Sequence, residues 1–190
     1  MQDALTYLAS AVLDLYVIAF FLRLVLAWIR ADFRNPLAQV ILKVTNPLVI
    51  PARRFIPAAR GLDTATLVVL LVVQTLATAV VVQFACVGRA SVGQIIALGL
   101  FRLTHLVLRT YSLLMVVYVV SSWFVPGGSY NPALALLARI VEPLLVPFRR
   151  IIPLIAGLDL SPLAAFFLLE FLNRLIPAGP GSTGLTCLPF

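Results

Sequence analysis

Seven ionisable side chains interrupt stretches that are otherwise apolar: Asp14, Arg23, Arg102, His105, Arg109, Glu170 and Arg174. Charged groups inside a membrane are costly, and they are the material from which a proton or ion path is built, here with Asp14 and Glu170 as gate or relay. The same groups serve equally as ion pairs that fix one helix against another, Asp14 with Arg109 or Arg174 and Glu170 with Arg23. Arg102, His105 and Arg109 fall on one helical stripe, and Glu170, Asn173 and Arg174 share a second. Gln74 and Thr78 mark a polar face on a third apolar segment, so an interior polar seam is expected. His105, the only histidine, suits a polar position near the outer headgroups better than a lone proton carrier.

A second set of reactive types lies between the apolar stretches. The strings NPLVIPARRFIPAARGLD at 46–63 and EPLLVPFRRIIPLIAGLD at 142–159 agree at ten of eighteen positions, including every proline, both arginines and the closing Gly-Leu-Asp. A guanidinium is a planar fork of donors matched to phosphate or carboxylate. Arg53, Arg54, Arg149 and Arg150 are therefore candidate contacts for anionic lipid headgroups or an acidic partner. Asp63 and Asp159 stand just before apolar segments and suit helix N-caps, with a cation site built from both as the alternative. Gly61 and Gly157 suit the turn before each cap. No metal-ligand cluster, phosphate-cradling glycine loop or nucleophile with a base is evident, so no enzyme activity, metal or cofactor is expected. Cys86 and Cys187 form no CxxC, and Cys86 reads as a small apolar residue in a helix.

Composition names the solvent in which these groups work. Hydrophobic residues make up 62% of the chain and charged residues 11%, whereas a soluble domain carries roughly 25% charged residues. The chain is read as an all-α, multi-pass membrane protein. Its net charge of +7 comes from basic residues that punctuate apolar segments, which favours lipid headgroups over nucleic acid as the anionic partner. Four spans are predicted, at about 5–29, 65–88, 103–124 and 160–176, the last one short. The N-terminus lacks a basic leader, carries Asp3, and reads as part of the first span.

Nine of the fourteen Lys and Arg residues fall in the two connections 30–64 and 125–159. By the positive-inside rule both connections are cytoplasmic, while the termini and the uncharged tail 177–190 lie outside. Trp28 and Tyr16 recur as Trp123 and Tyr111, and Asn35-Pro36 recurs as Asn131-Pro132. The chain thus divides into repeats 1–90 and 91–190, each with two spans, which forces both to insert in the same orientation. Asn35 and Asn131 are expected N-caps with proline at the first helical position. Leu37, Val40, Ile41 and Val44 then form one stripe with Gln39 and Lys43 opposite, an amphipathic helix for the membrane interface. Beyond it Pro47, Pro51 and Pro57, matched by Pro143, Pro147 and Pro153, are expected to break the backbone into single turns, with each Arg pair near a helix start.

These strings, DFRNPLAQVILKVTNPLVIPARRFIPAARGLD and NPALALLARIVEPLLVPFRRIIPLIAGLD, resemble the YggT family of small integral membrane proteins over nearly the whole chain. The resemblance implies a bacterial inner-membrane location, with relatives in cyanobacteria and plastids. It implies a part in osmotic tolerance and ion homeostasis, and relatives are associated with division, nucleoid organisation or cytochrome maturation. A membrane-protein partner or a second copy of the chain is compatible with either role. The second unit has Glu142 where the first has Asn46 and lacks a counterpart of Arg60, so strict twofold chemistry is not expected.

Overall fold

The computed structural model describes residues 2–57, 63–87, 90–124, 131–152, 159–177 and 186–187. Arg60, Gly61, Pro153 and Gly157, all singled out above, lie outside the described residues, as does most of the tail. Six helices follow one another: α1 Gln2–Trp28, α2 Pro36–Ala52, α3 Thr64–Ala85, α4 Val92–Phe124, α5 Pro132–Ile151 and α6 Ser161–Leu175. Two-residue segments β1 Cys86–Val87 and β2 Thr186–Cys187 pair antiparallel, with Cys86 opposite Cys187. Cys86 therefore ends the helical run instead of sitting inside it.

Three of the helices are long and apolar enough to cross a membrane, over Tyr7–Trp28, Thr64–Phe84 and Val92–Ser121. The expected fourth span is α6, with 15 residues. At about 1.5 Å per residue it reaches only about 22 Å, short of the roughly 30 Å hydrocarbon core. The β1–β2 pairing nevertheless brings residues beyond α6 to the end of α3 farthest from the linkers.

The repeat appears as two similar helical trios. In the first α1 packs on α3 with α2 against both, and in the second α4 packs on α6 with α5 against both. The trios meet where α1 and α3 lie on α4 and where α2 touches α5. Phe20, Phe21 and Leu26 of α1 share one buried cluster with Val49 of α2 and Ile140 of α5. Met115, Val141, Leu145 and Leu169 form a second, within the later trio. Leu15, Val72, Leu113 and Phe167 are exposed, as lipid-facing side chains of a membrane protein are. At the α3–α4 contact the buried Gln74 amide donates to the Gly99 carbonyl at 3.2 Å, and a Cβ at Gly99 would stand 3.4 Å from the Thr78 hydroxyl.

The linkers depart most from expectation. Instead of single turns, α2 runs 17 residues through Pro47 and Pro51, and α5 runs 20 residues through Pro143 and Pro147. An internal proline removes the hydrogen bond to the carbonyl four residues earlier and crowds it. Here the prolines are themselves four apart, so the freed carbonyls of Lys43, Pro47, Arg139 and Pro143 belong to residues on the exposed sides of the helices. The opposite sides are buried, by Ala38, Thr45 and Val49 in α2 and by Leu136, Leu137, Ile140, Val141 and Leu145 in α5. Burial on that side offsets the cost of the missing bonds. Leu37, Val40 and Val44 remain exposed beside them, an apolar edge suited to lipid.

Candidate functional site: the junctions of linker and span

Because the linker helices continue through their prolines, each Arg pair sits at a helix C-terminus and not at a start. Arg53 is the C-cap of α2, and Arg149 and Arg150 occupy the last turn of α5. The macrodipole there favours cations, which reverses the expected electrostatics. The N-terminal ends behave as predicted: the Asn35 side chain accepts from the Leu37 amide at 3.0 Å and Asn131 from Ala133 at 2.9 Å. Asn35 also donates to the Pro132 carbonyl at 2.6 Å, so the two linkers meet at the ends opposite their Arg pairs.

Within each pair the two arginines do different work. Arg149 Nε donates to Asp159 at 2.8 Å, Nη1 to both Glu142 oxygens at 3.0 Å, and Nη2 to the Tyr118 hydroxyl at 3.3 Å. Arg53 donates through Nη2 to Asp63. Each bond ties a linker helix to the start of the next helix, Asp63 before α3 and Asp159 before α6. Asp63 caps α3 as expected, accepting from the Thr66 amide at 3.3 Å and its hydroxyl at 2.6 Å; Asp159 accepts from the Ser161 amide at 2.9 Å but stands one residue before the N-cap of α6, Leu160. Arg54 and Arg150 are exposed and have no partner among the described residues.

The intramembrane charges pair differently from the sequence-based expectation. Asp14 binds Arg102 at 2.9 Å, not Arg109 or Arg174. Arg23 is 3% exposed and donates to Thr45 at 2.7 Å and Asn46 at 2.8 Å, not to Glu170. His105 meets Asn173 at 2.6 Å across α4 and α6. Arg109 and Arg174 are exposed and Glu170 is half-buried. Among the described residues no ion pair includes any of these three. The single interior seam resolves into separate contacts between neighbouring helices, with Gln74 in the α3–α4 contact. Thr45, Asn46, Tyr118 and Glu142 complete the junctions and were missed as site residues. The signal for them was the repeat itself, in which Tyr118 stands at the position of Arg23 and Glu142 at that of Asn46.

Electrostatics at the junctions has a measurable consequence. Burial alone would raise the Asp63 carboxyl, but hydrogen bonds from Arg53 and Thr66 outweigh it and hold the group below its ordinary 3.8. Asp159 is likewise held low against burial, by Ser161 and Arg149. Arg149 is raised despite burial by Asp159, Tyr118 and Glu142. A depressed carboxyl contributes stability that is complete above its unfolded pKa of roughly 3.9 and is lost as pH falls through the folded value. The melting temperature in detergent should hold from neutrality to about pH 5 and decline below about pH 4. Asp63→Asn with Asp159→Asn should start lower and decline less. An unchanged acid decline in that double variant would assign the effect to other carboxylates.

Comparison with known proteins matches the two trios separately. The CCB3/YggT family model matches residues 2–84 and again 97–179. The protein PA0392 of Pseudomonas aeruginosa is 36% identical over 177 residues, covering 93% of this chain and 89% of that protein. YggT of Escherichia coli K12 is 34% identical over 192 residues, covering 99% and 97%. YlmG homolog protein 2, chloroplastic, of Arabidopsis thaliana is 38% identical over 85 residues, covering 44% of this chain and 31% of its own length. No solved structure matches. With the family matched twice in tandem and full-length relatives above 30% identity, the chain belongs to the CCB3/YggT family.

Proposed function

We propose that this protein is a non-enzymatic scaffold of the bacterial inner membrane, which supports osmotic-stress tolerance or ion homeostasis by engaging anionic lipid through its linkers. In this reading the linkers 30–64 and 125–159 face the cytoplasm and the termini the periplasm, in accord with the positive-inside rule. The observation that carries it is the exposure of Arg54 and Arg150 at the ends of α2 and α5, of which α2 also exposes Leu37, Val40 and Val44 and α5 exposes Val146 and Ile151. Cations beside an apolar edge suit the headgroup level of an anionic leaflet, at about 1 kcal/mol per charge. The separate side-chain contacts among α1, α3, α4 and α6 support a structural role for the intramembrane polar groups over a conducting one. A membrane-protein partner, as in division, nucleoid organisation or cytochrome maturation, would use the same surface.

Arg54→Gln with Arg150→Gln tests the reading in cells lacking the native copy. The variant should insert and fold but fail to restore growth under hyperosmotic stress, while the corresponding Lys pair restores it. Full restoration by the Gln pair would remove the Arg surface from the function and shift attention to Asp14 and Glu170.

A further inference from the structure

We infer that the two junctions are chemically unequal: the first holds the phosphate of one anionic lipid, while the second neutralises itself. This rests on the proposed engagement of anionic lipid and names the place and the stoichiometry. The two junctions share a skeleton, an Arg at the end of the linker helix bound to the Asp that precedes the next helix. Among the described residues the differences that change their charge are Arg23 against Tyr118 and Asn46 against Glu142, with Thr45, a partner of Arg23, replaced by Val141. In the second junction one guanidinium meets two carboxylates, and Nε, Nη1 and Nη2 of Arg149 all donate within the protein. With the exposed Arg150 alongside, that junction is neutral.

The first junction has the opposite balance. Arg53 is paired with the single carboxylate of Asp63, the buried Arg23 lies within electrostatic reach of both, and the exposed Arg54 follows Arg53 in the chain. Arg23 is buried against two neutral partners, Thr45 and Asn46, and its buried Nε has no partner among the described residues. A buried cation with only neutral partners leaves a strong positive potential uncompensated. Arg53 is the outlet for that potential: its side chain is 53% exposed, and among the described residues only Nη2 is occupied, leaving the Nε and Nη1 edge open. The residues around it select a lipid over a free anion. Leu48, Ile50 and Phe55 are exposed at 42%, 53% and 84%, an apolar surface for acyl chains beside a fork for the phosphate.

Native mass spectrometry of the full chain in detergent, titrated with phosphatidylglycerol against phosphatidylcholine, tests the inference. The wild type should retain one phosphatidylglycerol per chain above the phosphatidylcholine background. Asn46→Glu supplies Arg23 with the carboxylate that Glu142 provides in the second half, and should abolish that preference. Arg53→Gln should weaken it about fivefold, and carries the test alone if circular dichroism shows that Asn46→Glu disturbs the fold. Tyr118→Arg with Glu142→Asn should create a second site. Two equivalent lipids on the wild type, or one undiminished in both Asn46→Glu and Arg53→Gln, would overturn the asymmetry while leaving lipid engagement standing. No preference at all would sink both. Displacement by inorganic phosphate at matched concentration would overturn the lipid as ligand.

Discussion

Gly99→Leu is expected to destabilise the detergent-solubilised protein by about 3 kcal/mol, while Gly93→Leu, earlier on the same helix, leaves stability unchanged or slightly raised. Both glycines lie in α4, and both substitutions replace a poor helix former with a good one, a gain of roughly 0.5–1 kcal/mol. Their surroundings separate them. A Cβ at Gly93 meets nothing within 4 Å, whereas at Gly99 it meets Thr78 and the α3 backbone at 3.4–3.8 Å. A leucine there must push α3 away and break the bond from the buried Gln74 amide to the Gly99 carbonyl. Small residues allow such close approach in membranes, where helix association depends on packing and polar contacts. Because α3 belongs to the first trio and α4 to the second, the loss should appear as loosened halves. Faster proteolysis of the 85–92 connection in Gly99→Leu, alongside a lower melting temperature, is the measurement. Equal behaviour of the two variants would remove the α3–α4 contact as the joint.

Arg149→Gln should cost about 2 kcal/mol, while Arg150→Gln at the next residue costs less than about 0.5 kcal/mol. Arg149 is the common donor to Asp159, Glu142 and Tyr118. Removing it loses four charge-assisted bonds to three partners and leaves the Asp159 and Glu142 carboxylates without their shared cation. Its side chain is 34% exposed, and screening at that exposure lowers the cost below that of a fully buried pair. Restoring Glu142→Gln in the Arg149→Gln background should recover part of the loss, since one of the two stranded carboxylates is then removed. Arg150 is exposed with no partner among the described residues, so its removal should instead alter contacts outside the chain. Equal losses from the two substitutions would show that the junction does not distinguish them.

That contrast marks where sequence reading stopped. Both arginines of a pair carry the same charge on the same string, and nothing in their types separates the one that bonds inward from the one left outside. Which way each points is set by helix phase, and helix phase was misread at the prolines. Proline chemistry alone argues for broken turns. It takes burial of Val141 and Leu145 on the opposite side to offset the lost hydrogen bonds and carry α5 through. With the helix continuous, the Arg pair moved from an imagined start to a real C-terminus.

What the residues determined by themselves was everything governed by local pattern and by solvent. Charge scarcity and long apolar runs required a membrane, the doubled string required two similar units, and Asn-Pro placed the linker starts, because each follows from composition or from bonds a few residues apart. The tertiary structure alone decided the partners of Asp14 and Arg23, the joint at Gly99, and the difference between the two junctions. Those depend on which helix faces meet, and a pairing of charges across helices is chosen by packing geometry, for which several opposite-charge combinations are equally compatible with one sequence.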